Sequence, residues 1–362
     1  MPKISIIVPI YNVENYLRQG LDSLINQTFK DIEIICINDC SPDNSLSILK
    51  EYTQKDSRIK IIDLKENKGQ GNARNIAIKE AKSDYIMFLD PDDWYELDAC
   101  EKAYNQIIEN NNDFVIFDFS RFYEETEEKT LDAKYSTIFN QLENKTNINP
   151  NDCNFYFFLN SLAWNKIYKT SFLQENSIEF STERFLEDIP FFVKVVTCAT
   201  NFSFIAESLY NYRMKANEQM TLNYTNYYSH VVSSHKENYS IIRQTKNNNL
   251  IKNYLIYTIN STSHWFDKFT SINKEIKKDF YELLRTYYIV LNEENDINLI
   301  SNKINKKMFK LVLKNKTYKS FELSILPKKI LKNIFSTQKN AGYKTIIILG
   351  LKFNLKRKNK KV

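Results

Sequence analysis

The first 120 residues alternate between two hydrophobic patterns. Short runs that are apolar throughout occupy Lys3–Ile10, Ile32–Ile37, Ile59–Asp63, Tyr85–Leu89 and Asp113–Phe119, and they predict strands. Between them apolar residues recur at helical spacing. Tyr16, Leu17, Leu21, Leu24 and Ile25 share one face of a helix predicted over Glu14–Gln27, and further helices are predicted over Asp43–Gln54, Asn72–Lys82 and Leu97–Glu109. Ser41 is placed to cap the second helix, with Pro42 at its first turn. Apolar strands separated by helices imply a mostly parallel sheet covered by helices on both faces.

The pattern then changes. Residues 121–150 are polar and read as a loop or insertion, and 151–215 are mixed and rich in aromatic residues. From about 225 to 335 the pattern is helical, and the last 30 residues are lysine-rich around an apolar, strand-like insert. There is no internal repeat.

In a parallel sheet, ligands bind beyond the carboxyl ends of the strands. Here strand one ends in Pro9-Ile10-Tyr11-Asn12, strand two in Asn38-Asp39, strand three in Asp63 and strand four in Asp90-Pro91-Asp92-Asp93. In extended chain Asp90 and Asp92 would point the same way, a pair of hard oxygen donors for Mg2+ or Mn2+ unless they are solvated surface acids. Asp39 is placed to accept hydrogen bonds from a base or sugar, or else to cap the next helix. Gly69-Gln70-Gly71-Asn72-Ala73-Arg74-Asn75 is not a dinucleotide fingerprint, because it follows strand three and carries Arg74. Placed in the first turn of its helix, Arg74 would oppose the helix dipole. It reads either as a cation reaching towards a diphosphate or as half of a surface salt bridge. Glu187-Asp188 lies among Phe185, Leu186, Ile189, Phe191 and Phe192. Burial there would raise a carboxyl pKa and improve it as a proton acceptor, and the alternative is a pair of helix N-terminal acids ahead of Pro190. His230, His235 and His264 fall in the helical region without a shared helical face and read as structural.

Composition narrows the class. The chain has 362 residues, 43% of them hydrophobic, enough for two domains or one large domain with an appendage and too many for disorder. No apolar run approaches the roughly 18–20 residues of a membrane span. The N-terminus enters a strand pattern at once, with no secretory signal, so a cytoplasmic protein is expected. Five cysteines, an odd number without C-x-x-C spacing, imply reduced thiols. Cys36 and Cys40 have no histidine near them in sequence to complete a zinc site. From Lys303 onward 18 lysines and arginines face one acid, Glu322, a net +17, and since the whole chain is +6 the remainder is −11. Lys306–Lys332 interleaves Met308, Phe309, Leu311, Val312, Phe321, Leu323, Ile325 and Leu326 with lysines. This is either a basic amphipathic surface for an anionic membrane leaflet or a solvated lysine-rich helix pair. No nucleic-acid module accompanies the charge, so nucleic acid is not expected as a partner.

The series Ser5-Ile6-Ile7-Val8-Pro9-Ile10-Tyr11-Asn12, Asn38-Asp39-Cys40-Ser41-Pro42-Asp43, Ala73-Arg74-Asn75 and Phe88-Leu89-Asp90-Pro91-Asp92-Asp93 resembles the family 2 glycosyltransferases of GT-A fold. Trp164-Asn165-Lys166, Glu187-Asp188 and Tyr210-Asn211-Tyr212-Arg213 resemble the bacterial branch that builds surface polysaccharide and lipooligosaccharide. The resemblance implies an α/β, Rossmann-like GT-A domain with a helical C-terminal region after it. Its division would be a nucleotide-sugar-binding half over 1–120, an acceptor-side half over 121–220, a helical region over 221–335 and a basic tail over 336–362. It implies an inverting transfer from a nucleotide donor, usually a UDP-sugar, to a lipid-linked or oligosaccharide acceptor, assisted by Mn2+ or Mg2+. It would take place at the cytoplasmic face of the inner membrane. By position, Pro9, Tyr11 and Asp39 correspond to the uridine-binding set and Arg74 to the donor-site arginine. Asp90 and Asp92 correspond to the D-x-D pair, with Asp92 on the metal and Asp90 nearer the ribose, and Asp188 to the catalytic base. Cys40 stands where the family commonly has glycine, which implies a less extreme backbone there. Two other functions compete. A nucleotidyltransferase would carry a glycine-rich loop after strand one, which Pro9-Ile10-Tyr11-Asn12 lacks, and a catalytically silent scaffold would not need Asp90, Asp92 and Asp188 intact.

Overall fold

The computed structural model describes residues 1–131, 146–150, 161–183, 186–214, 228–270, 274–294, 303–320, 335–340, 343–348 and 351–356. The alternating pattern folds as β1 (Ile4–Ile10), α1 (Glu14–Ile25), β2 (Ile32–Asn38), α2 (Ser45–Lys55), β3 (Ile59–Asp63), α3 (Gln70–Glu80) and β4 (Tyr85–Phe88). These four strands lie parallel in the order β3-β2-β1-β4. Every residue of β1 and β2 is buried, which is why both read as unbroken apolar runs. Ile7, Ile35 and Ile37 pack with Ala73 and Ala77 of α3 on one face. On the other, Ile6, Val8 and Ile34 pack with Leu17, Leu21 and Leu24 of α1 and Leu49 of α2.

Beyond β4 the sheet is mixed. The chain continues as β5 (Trp94–Tyr95), α4 (Ala99–Asn110), β6 (Phe114–Tyr123), β7 (Glu128–Leu131), β8 (Lys166–Lys169), α5 (Thr170–Glu175), α6 (Asp188–Cys198) and β9 (Phe202–Met214). The nine-stranded sheet runs on as β4-β8-β6-β9-β5, with β7 paired to β6. The fifth predicted strand, β6, therefore does not lie beside the fourth. The short β8 is inserted antiparallel to both. Part of the predicted 121–150 loop is also ordered, since β6 runs to Tyr123 and turns into a hairpin with β7.

The C-terminal region contains α7 (Tyr228–Gln244), α8 (Asn248–Thr270), α9 (Lys274–Glu293) and α10 (Lys303–Lys314). Their core is rich in tyrosine. The hydroxyls of Tyr254 and Tyr287 donate to the carbonyl of His235 at 3.2 and 3.1 Å. The His235 ring lies 2.9 Å from the Tyr254 hydroxyl and 3.0 Å from the Ser261 hydroxyl. Burial pushes this histidine down to about 3, so it stays neutral and serves packing. In α10, Phe309 and Val312 are buried, the Phe309 ring 4.8 Å from that of Tyr288. The Tyr281 hydroxyl donates to the Val312 carbonyl at 3.1 Å. The part of that apolar face formed by Phe309 and Val312 thus packs on the protein itself. The Met308 side chain and the remainder of that stretch, 321–332, lie outside the described residues. So do the side chain of His264 and the whole of Cys153 and Phe185. The tail forms a three-stranded antiparallel sheet of β10 (Phe335–Asn340), β11 (Tyr343–Ile348) and β12 (Leu351–Lys356) rather than one strand-like insert. Among the described residues no helix is long and apolar enough to cross a membrane.

Candidate active site

The carboxyl edge of β1 and β2 is built on two left-handed residues, Asn12 at φ 53° and Cys40 at φ 55°. Cys40 therefore keeps the extreme backbone that a glycine would hold there, contrary to the expectation from its side chain. Ser41 does not cap α2. Its hydroxyl accepts the Asn12 N–H at 2.8 Å and donates to Asp43 at 2.6 Å, while Asp43 accepts the Ser45 N–H at 3.1 Å. Pro9 is in register with Ile37 of β2, and Tyr11, 49% exposed, stands at the strand end. Asp39 is buried and caps no helix. Its two oxygens accept the backbone N–H groups of Lys68 and Gly69 at 2.7 and 2.8 Å. It thereby fixes the loop that enters α3 through Gly69, a residue at φ 87° that suits glycine. Asp63 is held by Asn38 at 2.7 Å and Lys65 at 3.0 Å.

The centre of the site is Arg74. Because α3 begins at Gln70, this residue lies in the second turn rather than the first. It is neither a surface salt bridge nor an outward-reaching cation, since its side chain is only 1% exposed. One guanidinium nitrogen donates to Asp90 at 2.7 Å, and the other donates to Asp188 at 2.7 Å and Glu187 at 3.1 Å. The guanidinium lies 5.0 Å from the centroid of the Phe180 ring. Gln70, one turn earlier on α3, donates its amide to the same Asp90 oxygen at 2.9 Å. Asp188 is the first residue of α6, where a carboxylate also complements the helix dipole. The structure thus brings Arg74, Asp90, Glu187 and Asp188 into one cluster.

Asp90 and Asp92 sit on a turn closed by the Asp93 N–H on the Asp90 carbonyl at 3.0 Å, not in extended chain. Asp93 points inward, accepting the Tyr210 hydroxyl and the Arg213 N–H, each at 2.7 Å. Arg213 also donates from Nε to the Asp92 carbonyl at 2.8 Å, and Tyr16, Trp94 and Phe122 ring its guanidinium at 4.9–5.7 Å. Gln70, Asp93, Tyr210 and Arg213 were not among the residues chosen from sequence. Asp93, Tyr210 and Arg213 lie in stretches that carry the family resemblance, and nothing local to Gln70 signals its contact.

Negative charge dominates here. Burial pushes Asp90 up to about 6, with repulsion from Asp92 and Asp188 added and Arg74 opposing. Burial and Asp188 push Glu187 up to about 8 against the pull of Arg74. Burial drives Lys166 down to about 7, opposed by Asp188. A divalent cation would relieve the repulsion among these acids, and carboxylate oxygens are the ligands that Mg2+ and Mn2+ take, so the donor set fits such an ion. Among the described residues no group of three His, Cys, Asp or Glu side chains could hold a metal by itself. Asp90 and Asp92 would have to share the ion with phosphate and water oxygens.

A half-parallel sheet flanked by helices, with acids and the buried guanidinium groups of Arg74 and Arg213 at its carboxyl edge, defines an α/β fold of GT-A type. Residues 5–172, just under half of the chain, match the model of glycosyl transferase family 2. The chain is 36% identical over 217 residues to the glycosyltransferase GlyA of Streptococcus pneumoniae, which covers 59% of this chain and 31% of GlyA. It is 34% identical over 216 residues to a Bacillus subtilis protein named as a glycosyltransferase, EpsH, covering 59% of this chain and 61% of EpsH. The chain thus spans less than two thirds of the length of either relative. The crystal structure of Staphylococcus aureus TarS 1–349 in complex with UDP-GlcNAc superposes with a TM-score of 0.73 at 20% identity, over 98% of this chain and 99% of that one. The two share a fold.

Proposed function

We propose that this protein transfers a sugar from a UDP-sugar to a hydroxyl of a bacterial surface glycan, with inversion at the anomeric carbon. The observation that carries this reading is Arg74, which joins Asp90 at the end of β4 to Asp188 at the start of α6, 114 residues away from Arg74 in sequence. A donor-side carboxylate and a candidate base therefore flank one guanidinium. The relatives named as glycosyltransferases, and the UDP-GlcNAc held by the structurally similar TarS, support the same reading.

Residues 1–120 would hold the donor, with uridine against Pro9, Tyr11 and Asp39 and the ribose near Asp90. Residues 121–220 would face the acceptor. Asp92 with Asp90 would hold Mn2+ or Mg2+, which when bound offsets charge on the diphosphate and makes UDP a better leaving group. Asp188 accepts the proton of the acceptor hydroxyl as the new C–O bond forms. The bond to UDP breaks on the opposite face, and UDP leaves with the electron pair. One displacement inverts the centre without a covalent sugar–protein bond. Arg74 keeps the Asp188 carboxylate oriented and stabilises its charge until the proton arrives.

The acceptor in this reading is lipid-linked or an oligosaccharide at the cytoplasmic face of the inner membrane. Because Phe309 and Val312 are buried, attachment there would rest on charge, through exposed lysines such as Lys310, Lys314, Lys316 and Lys319. The function is tested by incubating the chain with a panel of UDP-sugars and a bacterial glycolipid fraction, with and without Mn2+. Release of UDP from one donor, dependent on acceptor, is expected. If no donor is consumed and UDP does not bind, the reading is wrong.

A further inference from the structure

We propose that one face of α3 is a dock that fixes the backbone of the base-bearing segment, with Gly71 and Asn75 as positioning residues for Asp188. This rests on the glycosyltransferase reading above. Residues three and four apart share a helix face, so Gly71, Arg74 and Asn75 all look towards the stretches 178–183 and 186–188. Arg74 supplies the charge, and the other two supply the geometry.

Gly71 has no side chain because there is no space for one. A Cβ there would overlap the Ser181 carbonyl oxygen and meet Cγ and Cβ of Glu187 at 3.2 and 3.3 Å. Asn75 is buried and acts on the Phe180 backbone as a second peptide group would. Its amide donates to the Phe180 carbonyl at 3.0 Å and accepts the Phe180 N–H at 2.8 Å. The Phe180 ring in turn stacks on Phe191 of α6 at 3.9 Å. The dock is thereby carried into the helix that Asp188 opens. Leu186, just before the acidic pair, is left-handed at φ 63°. A leucine holds that conformation only where its surroundings impose it. The dock itself is rigid, because Ala73 and Ala77 seat α3 in the core against β1 and β2. Through Gln70 the same helix also holds Asp90. One rigid element thus sets the distance between the donor-side carboxylate and the proton acceptor. Ion pairs alone leave a long arginine side chain free to follow either partner, whereas a close contact and a double hydrogen bond do not.

Gly71→Ala and Asn75→Ala break the dock by opposite means, crowding and loss of hydrogen bonds, so failure of one to fold leaves the other informative. Lys79→Ala is the control, since it removes only an exposed ion pair to Glu179 at 2.9 Å between the same two segments. In the full chain, both dock variants are expected to lose about 10- to 100-fold in kcat. Their donor KM and UDP affinity should stay within about twofold of the parent. Amide exchange at 178–183 and 186–190 should accelerate while the strands stay protected. Lys79→Ala should match the parent in every measurement. Unchanged kcat and unchanged exchange in the dock variants would overturn the proposal, and so would loss of UDP binding in step with kcat. If the parent turns over no UDP-sugar, the glycosyltransferase reading fails, while the exchange measurement still decides whether α3 holds this segment.

Discussion

Burying a guanidinium is costly unless carboxylates surround it, and Arg74 has Asp90, Glu187 and Asp188 within 3.1 Å. The arrangement explains why the arginine does not point outward. Asp188→Asn keeps the size of the side chain and removes its capacity to take a proton. It is expected to cost about 10²–10⁴ in kcat with little change in UDP binding, measured by UDP release and calorimetry. Glu187 gives a pH prediction. Its folded-state value of about 8 lies above the ordinary 4.5, through burial and Asp188. The folded protein therefore binds this proton more tightly than the unfolded chain does. That stabilisation is complete below about 4.5 and is lost as the pH rises through about 8. Glu187→Gln should flatten the fall in unfolding free energy between about pH 5 and about pH 9, read by urea denaturation at each pH. Residue types along the chain marked Arg74, Asp90 and Asp188 as candidates. That they touch was not legible, because the contacts span 16 and 114 residues.

The elements divide by how strongly a local pattern speaks. β1, β2, α1 and α3 were readable because full burial of a strand or one apolar helix face leaves a periodic trace. β8 was not, because four residues, Lys166–Lys169, are too few to show a period. It is placed by pairing with β4 and β6. The turn at Asp90–Asp93 did have a local signal, Asp90 followed by Pro91 at the second turn position, which competes with the extended reading, and it is closed by the Asp93 N–H on the Asp90 carbonyl. α10 teaches a different lesson. Its amphipathic pattern was correctly seen, but a pattern does not say whether protein or lipid covers the apolar face. Phe309→Ala should lower unfolding stability in solution by about 3–5 kcal/mol, measured by chemical denaturation without lipid. A helix whose apolar face waited for a membrane would lose almost nothing.

Across the whole molecule, charge separates into an acidic body and a basic region from Lys303 onward, −11 against +17. Each lysine close to an anionic leaflet contributes about 1 kcal/mol. The buried Phe309 and Val312 of α10 add no hydrophobic anchor to that attraction. The chain is expected to float with anionic vesicles at low salt, to ignore neutral ones, and to be released near 1 M salt, where the screening length is about 3 Å. Retention at that salt concentration would point to inserted side chains instead. The sequence by itself determined the layered α/β half, the helical region after it, the charge division and the acids marking the strand ends, because each leaves a trace in neighbouring residues. Only the tertiary structure decided that Asp39 clamps a loop, that Arg74 is enclosed rather than extended and that α10 turns its apolar face inward. It alone decided that α3 grips the segment carrying Asp188. Those facts depend on which surfaces meet across long loops, and burial of one residue by another distant in the chain leaves no local record.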